Sequence, residues 1–444
     1  MKKTTLTNSF AAMLALVSLS GQLHAQSDDT TEFVPFDKFL ESTRAVNSTV
    51  MNRPDSRIRE RKTFEEMRRH VLGLYAGVHV THSFVKDSAH FDCVPVEQQP
   101  SVRQLGLDSI ADAPPDSLLA ETTANDDTAE GARNLASQDA EDDQFGNATT
   151  CEANTIPMRR ITLEELVRFS SLREFFDKGP DGAGRALAAN PEVAPASPTD
   201  GHKYAIMFQN VNNTGGSSSL NLWNPTVNTA LGELMSLSQE WYVSGSGAST
   251  QTAEVGWQVQ PNYFRTTKTV LFIYWTADDY SKTGCYNLTC AGFVQKSNAV
   301  TFGAGYTTVS TQGGTQYDVT ARYYFYQGNW WLAINGTWIG YYPGSIYRGG
   351  QMSKYATEIE YGTESVGSTI WPAEGSGQWA TRGFGYAAYQ RNMNYSDTSG
   401  NIQTPSLKSY QPSPKCYNTY GPFTNSSSDW KVFFYVGGPG GSGC

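Results

Sequence analysis

Hydrophobic and polar positions follow different periods in the two halves of the chain. Residues 57–75 (RIRERKTFEEMRRHVLGLY) carry apolar side chains at helical spacing, which predicts a charged amphipathic helix. In the second half, short runs rich in Tyr, Trp, Val, Thr and Phe alternate with Gly/Asn/Ser turns. This pattern predicts strands at 205–209, 240–244, 255–260, 269–276, 317–326 and 330–335. We therefore predict an all-β domain, an antiparallel β-sandwich of two sheets, preceded by a smaller mixed α/β region.

The first half divides into further segments. Residues 78–94 show the short apolar alternation of strands, and Thr162 and Glu165 have the spacing of a capping box ahead of an apolar-periodic helix. Residues from about 108 to 148 are poor in aromatics and rich in Asp, Glu, Ala and Ser, which predicts a disordered acidic insert. Residues 179–200 form a Gly/Pro/Ala linker that is exposed and cleavable on composition.

Residues 1–25 have the pattern of a secretory signal peptide. Lys2 and Lys3 precede a short apolar stretch, and Ala25 is the small residue expected before cleavage at Gln26. The stretch is too short to span a bilayer, and no later run reaches about 18 apolar residues. The sequence therefore predicts a secreted protein without a membrane span.

Charge and tryptophan content change sharply near residue 200. The part from residue 201 onward carries 13 basic and 12 acidic residues and all ten Trp, whereas the preceding part carries 20 basic and 31 acidic residues. Such a change marks two domains with separate roles. The net charge of −10, with no basic stripe in either half, argues against a nucleic-acid partner.

The ionisable residues of the second half exclude several catalytic classes. His202 is its sole histidine and lies at the very start of the domain, which disfavours a Ser-His-Asp triad. No GxxxxGK[ST] loop supports nucleotide chemistry, and the cysteines lack the CxxC spacing of a zinc site. We expect no metal or cofactor, and carboxylates remain as the candidate reactive groups.

Two strand-like segments place carboxylates on one face. In AEVGWQVQP, Glu254 shares a face with Gly256 and Gln258, and the glycine leaves room for a ligand. In EIEYGTES, Glu360 and Glu364 share a face, where mutual repulsion would raise one pKa, as a general acid requires. The alternative for each glutamate is an ordinary solvated strand position.

These segments resemble the neprosin family of secreted glutamic peptidases. The resemblance rests on AEVGWQVQP, WTADDYSKTGCYNLTCAGFVQ, GNWWLAINGTWIGYYP and IEYGTES in the second half, and on FDCV, QQP and CEANTIPMRRITLEEL in the first. It covers nearly the whole chain, with the acidic insert as a departure. It implies that residues 26–178 are an activation peptide, that 179–200 are a cleavable linker, and that 201–444 are the catalytic domain.

The resemblance also implies site residues. Glu254 and Glu364 match the two catalytic glutamates, although the second lies in a W-G-G-E-V context in the family and in YGTES here, so Glu360 stays open as an alternative. Further residues expected to line the substrate cleft are Trp257, Gln258, Tyr274 and Tyr361. Locality and resemblance together imply three disulfides, namely Cys93–Cys151, Cys285–Cys290 and Cys416–Cys444.

The function expected from these observations is an endopeptidase that uses two glutamates and water. The resemblance implies cleavage after proline, and carboxylate chemistry implies an acid pH optimum. We further expect a monomer that is made as a zymogen, with its own pro-domain as inhibitor and proline-containing proteins or peptides as substrates. Two alternatives stay open: a β-sandwich glycoside hydrolase that uses a carboxylate pair, and a non-catalytic carbohydrate- or surface-binding module.

Overall fold

Two antiparallel sheets dominate the second half of the chain, as the strand pattern predicts. The structure, a computed structural model, describes residues 31–119, 132–134, 141–178, 201–426 and 429–444. The predicted signal peptide and linker lie outside these residues. The strands are β1 (Ser83–Lys86), β2 (Ala89–Pro95), β3 (Ala132–Asn134), β4 (Thr155–Arg159), β5 (His202–Asn213), β6 (Gly215–Asn221), β7 (Glu233–Ser244), β8 (Gln251–Val259), β9 (Val270–Thr276), β10 (Val294–Gln295), β11 (Gln316–Tyr326), β12 (Asn329–Ile334), β13 (Thr337–Pro343), β14 (Ala356–Gly367), β15 (Ile370–Trp371), β16 (Ala388–Ser396), β17 (Ile402–Gln403), β18 (Lys408–Tyr410), β19 (Asn418–Asn425), β20 (Lys431–Gly437) and β21 (Gly441–Ser442).

The two sheets of the sandwich have unequal size. One has six strands in the order β18-β5-β14-β7-β8-β9, and the larger one follows the path β10-β13-β12-β11-β6-β16-β20-β19. Side chains from the facing surfaces meet between them: the Trp257 indole on β8 donates to the Asn221 carbonyl on β6, at 3.0 Å. This arrangement confirms the predicted β-sandwich.

The first half folds as a small mixed α/β unit. A three-stranded sheet, β1-β2-β4, is accompanied by short helices. The α-helices of the described residues are α1 (Phe36–Ala45), α2 (Arg61–Leu74), α3 (Pro100–Leu105), α4 (Leu163–Leu166), α5 (Leu172–Phe176) and α6 (Pro261–Phe264), the last of which belongs to the second half. Helix α2 confirms the amphipathic prediction, because its buried residues Phe64, Met67, Val71 and Leu74 follow helical spacing.

The predicted capping box is present at the start of α4. The Thr162 hydroxyl accepts from the Glu165 amide, and the Glu165 carboxylate accepts from the Thr162 amide. The helix nevertheless ends after four residues, and a second short helix, α5, starts after Ser171, whose hydroxyl caps it by accepting from the Glu174 amide. The Ser170-Ser171 pair therefore replaces the single longer helix that the apolar period predicts.

Both ends of the predicted acidic insert are ordered, so disorder throughout 108–148 is wrong for these ends. Leu119 is buried against Trp331 and Trp338 of the larger sheet. Near the other end, the Asp143 carboxylate accepts from the amides of Val85 and Asn147. Between these ends, the structure describes 132–134 alone, as strand β3, which pairs in parallel with β11.

The three predicted disulfides form, at Cys93–Cys151, Cys285–Cys290 and Cys416–Cys444. Residues 31–444 form one compact unit, so the two halves pack together. Within the described ranges, no helix combines the length and apolar character that a membrane crossing requires.

Candidate active site

The outer face of the six-stranded sheet carries both candidate catalytic glutamates, Glu254 and Glu364. Glu254 on β8 pairs with Trp241 on β7, and Trp241 pairs in turn with Glu360 on β14. Glu364 lies two rows further along β14, beyond Gly362. Glu254 and Glu364 are at most 1% exposed, because the first half of the chain covers this face. Because both faces of the sheet are covered, neither β8 nor β14 has an exposed polar face.

A lysine from the first half joins the two glutamates. The Lys178 ammonium lies 2.6 Å from Glu254 Oε2 and 3.0 Å from Glu364 Oε2, and it is itself 1% exposed. It also lies 5.1 Å from the centre of the Trp241 ring. One cation therefore neutralises a pair of carboxylates that would otherwise repel each other in a low-dielectric site.

The approach of Lys178 follows from helix α5. Phe175, near its end, stacks on Tyr263 of the second half, with ring centres 4.9 Å apart. Asp177 ends the helix with extended φ and ψ of −70° and 147°, and its carboxylate accepts from the Arg173 guanidinium at 2.5 Å. The chain thus leaves the helix in extended form and sends the Lys178 side chain onto the glutamates.

Two tyrosines of the second half bind the main chain on either side of Asp177. The Tyr274 hydroxyl donates to the Phe176 carbonyl at 2.7 Å, and the Tyr286 hydroxyl donates to the Lys178 carbonyl at 3.4 Å. Tyr286 lies between the cysteines of the Cys285–Cys290 disulfide. That bridge therefore closes a loop at the candidate site.

Three further donors hold Glu254. The Gln239 amide donates to Oε2 at 3.0 Å, and the hydroxyls of Tyr280 and Thr252 donate to Oε1 at 2.7 and 2.8 Å. Tyr280 reaches Glu254 from a left-handed backbone position, with φ of 59°, directly after Asp279 with φ of 56°. Two successive left-handed residues other than glycine are costly, and such strain concentrates at functional sites.

Glu364 is held differently, by a histidine and the lysine. His202 Nδ1 lies 2.6 Å from Glu364 Oε1, and both side chains are buried. Burial alone would raise the pKa of Glu364, but the Lys178 charge and the bond to His202 outweigh it and lower that pKa to about 2. In this structure Glu364 is therefore a carboxylate across the physiological pH range.

Glu360 lies outside this set of contacts. It is buried on the same strand face, and its pKa is raised well above the ordinary value by desolvation and by the neighbouring Glu358 charge. The Lys178 ammonium bridges Glu254 with Glu364, whereas no ion pair between Lys178 and Glu360 occurs among the described side chains. The geometry thus favours the pairing of Glu254 with Glu364 over the alternative with Glu360.

The four predicted cleft residues divide between the two faces of the sheet. Tyr274 pairs with Glu254 in register, and Gln258 shares the Glu254 face of β8. Trp257 and Tyr361 point to the opposite face, where Trp257 donates to Asn221 and Tyr361 to the Asn394 carbonyl at 3.1 Å. Their prediction as cleft residues is wrong, because strand alternation directs them between the sheets.

Sequence reasoning missed Lys178 and undervalued His202. Lys178 directly precedes the Gly/Pro linker, and no periodic signal distinguishes it from a solvated lysine at the end of a helix. His202 was notable as the sole histidine of the second half, but its role as a neighbour of Glu364 depends on the pairing of β5 with β14. In the sequence, both residues are distinguished by their positions beside the linker, and neither belongs to a recognisable motif.

Comparisons with known proteins give one family match and two similar solved structures. The family model described as Neprosin matches residues 232–439. Two similar solved structures are crystal structures of scytalido-glutamic peptidase. One, with a transition state analog inhibitor, is 9% identical, covers 53% of this chain and 97% of its own, and has a TM-score of 0.28. The other, with a peptide based transition state analog, is 8% identical, covers 54% and 98%, and has a TM-score of 0.26.

Proposed function

We propose, on the basis of the Neprosin family-model match over residues 232–439, that this chain is the latent precursor of a secreted endopeptidase. Glu254 and Glu364 form the catalytic pair, and Lys178 holds them inactive. The three disulfides agree with an oxidising, extracellular destination. The substrates are proteins or peptides, and cleavage after proline is the preference that the family resemblance implies.

The Lys178 bridge is the observation that carries this proposal. An ammonium that donates to both carboxylates occupies the position that a nucleophilic water would need between them. Burial would lower the pKa of Lys178, yet the Glu254 and Glu364 charges raise it above its ordinary value, so the lysine stays charged. A buried, charged lysine on two buried carboxylates is costly to desolvate, and a regulatory contact is a reason to retain it.

Main-chain contacts favour a polypeptide substrate. The hydroxyls of Tyr274 and Tyr286 donate to the carbonyls of Phe176 and Lys178, two residues apart where the chain leaves helix α5 through the extended Asp177. Hydrogen bonds to alternate carbonyls are the means by which proteins bind extended peptides. We infer that a substrate main chain takes this path once the pro-segment has left.

The reaction needs one ionised and one protonated carboxyl. The ionised glutamate takes a proton from water as the water oxygen attacks the carbonyl carbon, and the protonated glutamate gives its proton to the carbonyl oxygen. Return of the first proton to the nitrogen breaks the C–N bond and releases the amine. When Lys178 leaves, repulsion within the carboxyl pair favours uptake of one proton, which suits acid pH.

Conversion of the precursor follows from the same contacts. Acid weakens the packing of the first half, cleavage within 179–200 separates it, and the catalytic pair is freed. Self-cleavage at acid pH would leave a fragment of roughly residues 190–444, and the linker composition makes that region open to proteolysis.

The test compares acid-treated wild type with Glu254→Gln and Glu364→Gln on a proline-containing peptide and on a panel of β-glucans. Each substitution nearly keeps side-chain shape but removes proton exchange, so we expect peptide turnover to fall by about 10² to 10⁴-fold or more. Glu374→Gln is the matched control, since Glu374 is buried away from Lys178 and bonds to Thr363. Glu360→Gln tests the alternative pairing and should keep most activity.

Three results would contradict the proposal. Turnover of a glucan instead of the peptide would favour the glycoside hydrolase. If wild type and every variant bound a glucan or the peptide but turned neither over, the result would favour the carbohydrate- or surface-binding module. Full peptide turnover by both Glu254→Gln and Glu364→Gln would exclude a two-glutamate mechanism.

A further inference from the structure

We propose that His202 is a positioning residue that determines which of the two glutamates accepts a proton and which donates one. It keeps Glu364 ionised as the proton acceptor, so that Glu254 carries the proton given to the substrate. This assignment rests on the proposed peptidase function. It concerns a residue at the first position of β5, two positions after the end of the linker, rather than a member of the carboxyl pair.

The contact between His202 and Glu364 is short and enclosed. Nδ1 lies 2.6 Å from Oε1, His202 is 0% exposed and Glu364 is 1% exposed. At this separation one proton must lie between the two atoms. Imidazole is a stronger base than a carboxylate by about two pKa units, so the shared proton belongs to nitrogen and Glu364 is the acceptor. The bond favours the charged form of Glu364.

The pairing of β5 with β14 makes this contact a feature of the second half itself. His202 is opposite Val366, and Tyr204 is opposite Glu364, on adjacent antiparallel strands. The imidazole also stacks on Tyr204, with ring planes inclined by 16° and centres 6.3 Å apart. Lys178 comes from the first half and departs with it, whereas His202 stays beside Glu364 after a cut in the linker.

Glu254 has neutral donors where Glu364 has an imidazole. The hydroxyls of Tyr280 and Thr252 contact Oε1, and each can turn from donor to acceptor when Glu254 takes up a proton. The Gln239 amide contacts Oε2 and carries no charge. These partners tolerate a protonated Glu254, and the His202 contact disfavours a protonated Glu364.

When Lys178 leaves, one particular carboxyl of the pair therefore takes up a proton. Two neighbouring carboxylates that have lost their common cation do not both stay ionised at moderate pH. The titratable groups that face this pair, other than His202, come from four elements or loops: Lys178, Glu360, Tyr280, Tyr274 and Tyr286. Among them Lys178 alone is cationic, so after its departure the His202 contact with Glu364 directs the proton to Glu254.

The proton balance of a turnover follows. Glu364 takes one proton from water while the water oxygen bonds to the carbonyl carbon, and Glu254 gives its proton to the carbonyl oxygen. In the second step the C–N bond breaks, Glu364 gives its proton to the amine, and the former carbonyl oxygen returns its proton to Glu254. Both carboxyls end as they began, with water consumed and an acid and an amine formed.

The test titrates the two carboxyls directly, in the full-length chain with Lys178→Met. Carbon-13 NMR of labelled glutamate follows each carboxyl, and Glu254→Gln and Glu364→Gln identify the signals. We expect Glu364 to titrate below Glu254. Adding His202→Leu should raise the Glu364 midpoint by about one to two pH units, the size of one hydrogen bond to a charged group. His202→Asn, which keeps an N–H donor, should raise it less.

The same variants give an activity readout in the converted enzyme. His202→Leu should move the acid limb of the kcat/KM profile upward by a similar amount, while Tyr204→Phe, which keeps the stacked ring, should not move it. A Glu254 midpoint below that of Glu364, or an unmoved Glu364 midpoint in folded His202→Leu, would overturn the assignment. Because the NMR titration needs no turnover, a lack of peptidase activity would instead count against the proposed function.

Discussion

Buried glutamates occur in two different settings in this molecule. On the outer face of the six-stranded sheet, Glu254 and Glu364 bind the Lys178 ammonium. Between the sheets, Glu240 accepts from the hydroxyls of Ser218 and Tyr242, at 2.6 and 2.8 Å, and Glu374 accepts from the Thr363 hydroxyl. The first setting supplies a cation from another part of the chain, and the second supplies hydroxyl groups from the sandwich alone.

The two settings give the buried glutamates opposite protonation states at neutral pH. Desolvation raises the pKa of Glu240 and of Glu374 to about 8, since their hydroxyl partners only partly offset it. Glu364, equally buried, has a pKa of about 2 because Lys178 and His202 outweigh desolvation. Burial alone therefore makes a glutamate a neutral core residue, and a removable cation makes it a latent reactive group.

Replacing Lys178 should have the largest effect. Lys178→Met leaves two buried carboxylates without their cation, which costs about 3–5 kcal/mol of folding stability at neutral pH unless one takes up a proton. With the cation gone, the chain should also convert by self-cleavage at a higher pH than wild type. Denaturation at pH 7 and intact mass over a pH series measure both effects. Lys178→Arg, which keeps the charge, should stay stable and latent, and a Lys178→Met chain that is as stable as wild type and converts at the same pH would show that the bridge has no regulatory role.

The interior glutamates should make the sandwich more stable in acid. Their folded pKa values exceed the ordinary 4.5, so their contribution is fully present below about pH 4.5 and is lost as pH rises toward 8. Each can account for as much as about 5 kcal/mol over that window.

Glu374→Gln removes the titration and should leave a protein that is more stable than wild type at pH 8 and nearly equal to it at pH 5. Urea denaturation at the two pH values measures the difference. An equal effect of the substitution at both pH values would mean that Glu374 does not change its protonation state in this range.

His70 should give a smaller effect of opposite sign. It lies on α2 beside Phe176, with ring centres 5.0 Å apart. Desolvation lowers its pKa to about 4, against a bond with the Thr289 backbone that raises it. The packed state is thus favoured above about pH 6.5 and loses up to about 3 kcal/mol as pH falls toward 4.

Acid conversion of the precursor should depend on this histidine. His70→Gln should need a lower pH than wild type to reach half conversion, as read by intact mass, whereas the exposed His79→Gln should behave as wild type. An unchanged conversion midpoint in His70→Gln would exclude His70 as the acid-sensitive contact.

The Cys285–Cys290 bridge should have the smallest effect on stability. It closes a loop with a sequence separation of 5, so it removes little chain entropy from the unfolded state. It does hold Tyr286 at the site, so Cys285→Ser with Cys290→Ser should lower activity several-fold while the melting temperature changes little. A double variant with full activity, or free thiols in the oxidised wild type, would contradict this role.

The sequence predicts elements better than it predicts the site. Strand alternation and β propensity locate β5, β7, β8, β9, β11 and β12, because both signals are contained in the sequence of each strand itself. The same alternation correctly places Glu254 and Gln258 on one face, and it also shows why Trp257 belongs to the other. Local pattern therefore predicts which side a residue faces, even though it does not reveal what covers that side.

Contacts between distant parts of the chain explain the rest. Lys178 meets Glu254 across 76 positions of sequence, and His202 meets Glu364 across 162. Neither contact leaves a local period, because each depends on how α5 packs on Tyr263 or how β5 pairs with β14. The ordered position of Leu119 in the acidic insert also depends on a contact with a distant part of the chain, because Leu119 is buried against an aromatic surface of the larger sheet.

An acid time course is the most direct test of the latent two-glutamate peptidase. Wild type, Glu254→Gln and Glu364→Gln are brought to acid pH with a proline-containing protein, and mass spectrometry follows both the intact chain and the released peptides. We predict that wild type converts to a fragment of roughly residues 190–444 and then releases peptides, and that both variants stay full length and release none. Peptide release by a wild-type chain that is still joined, or equal conversion and release by the two variants, would contradict it.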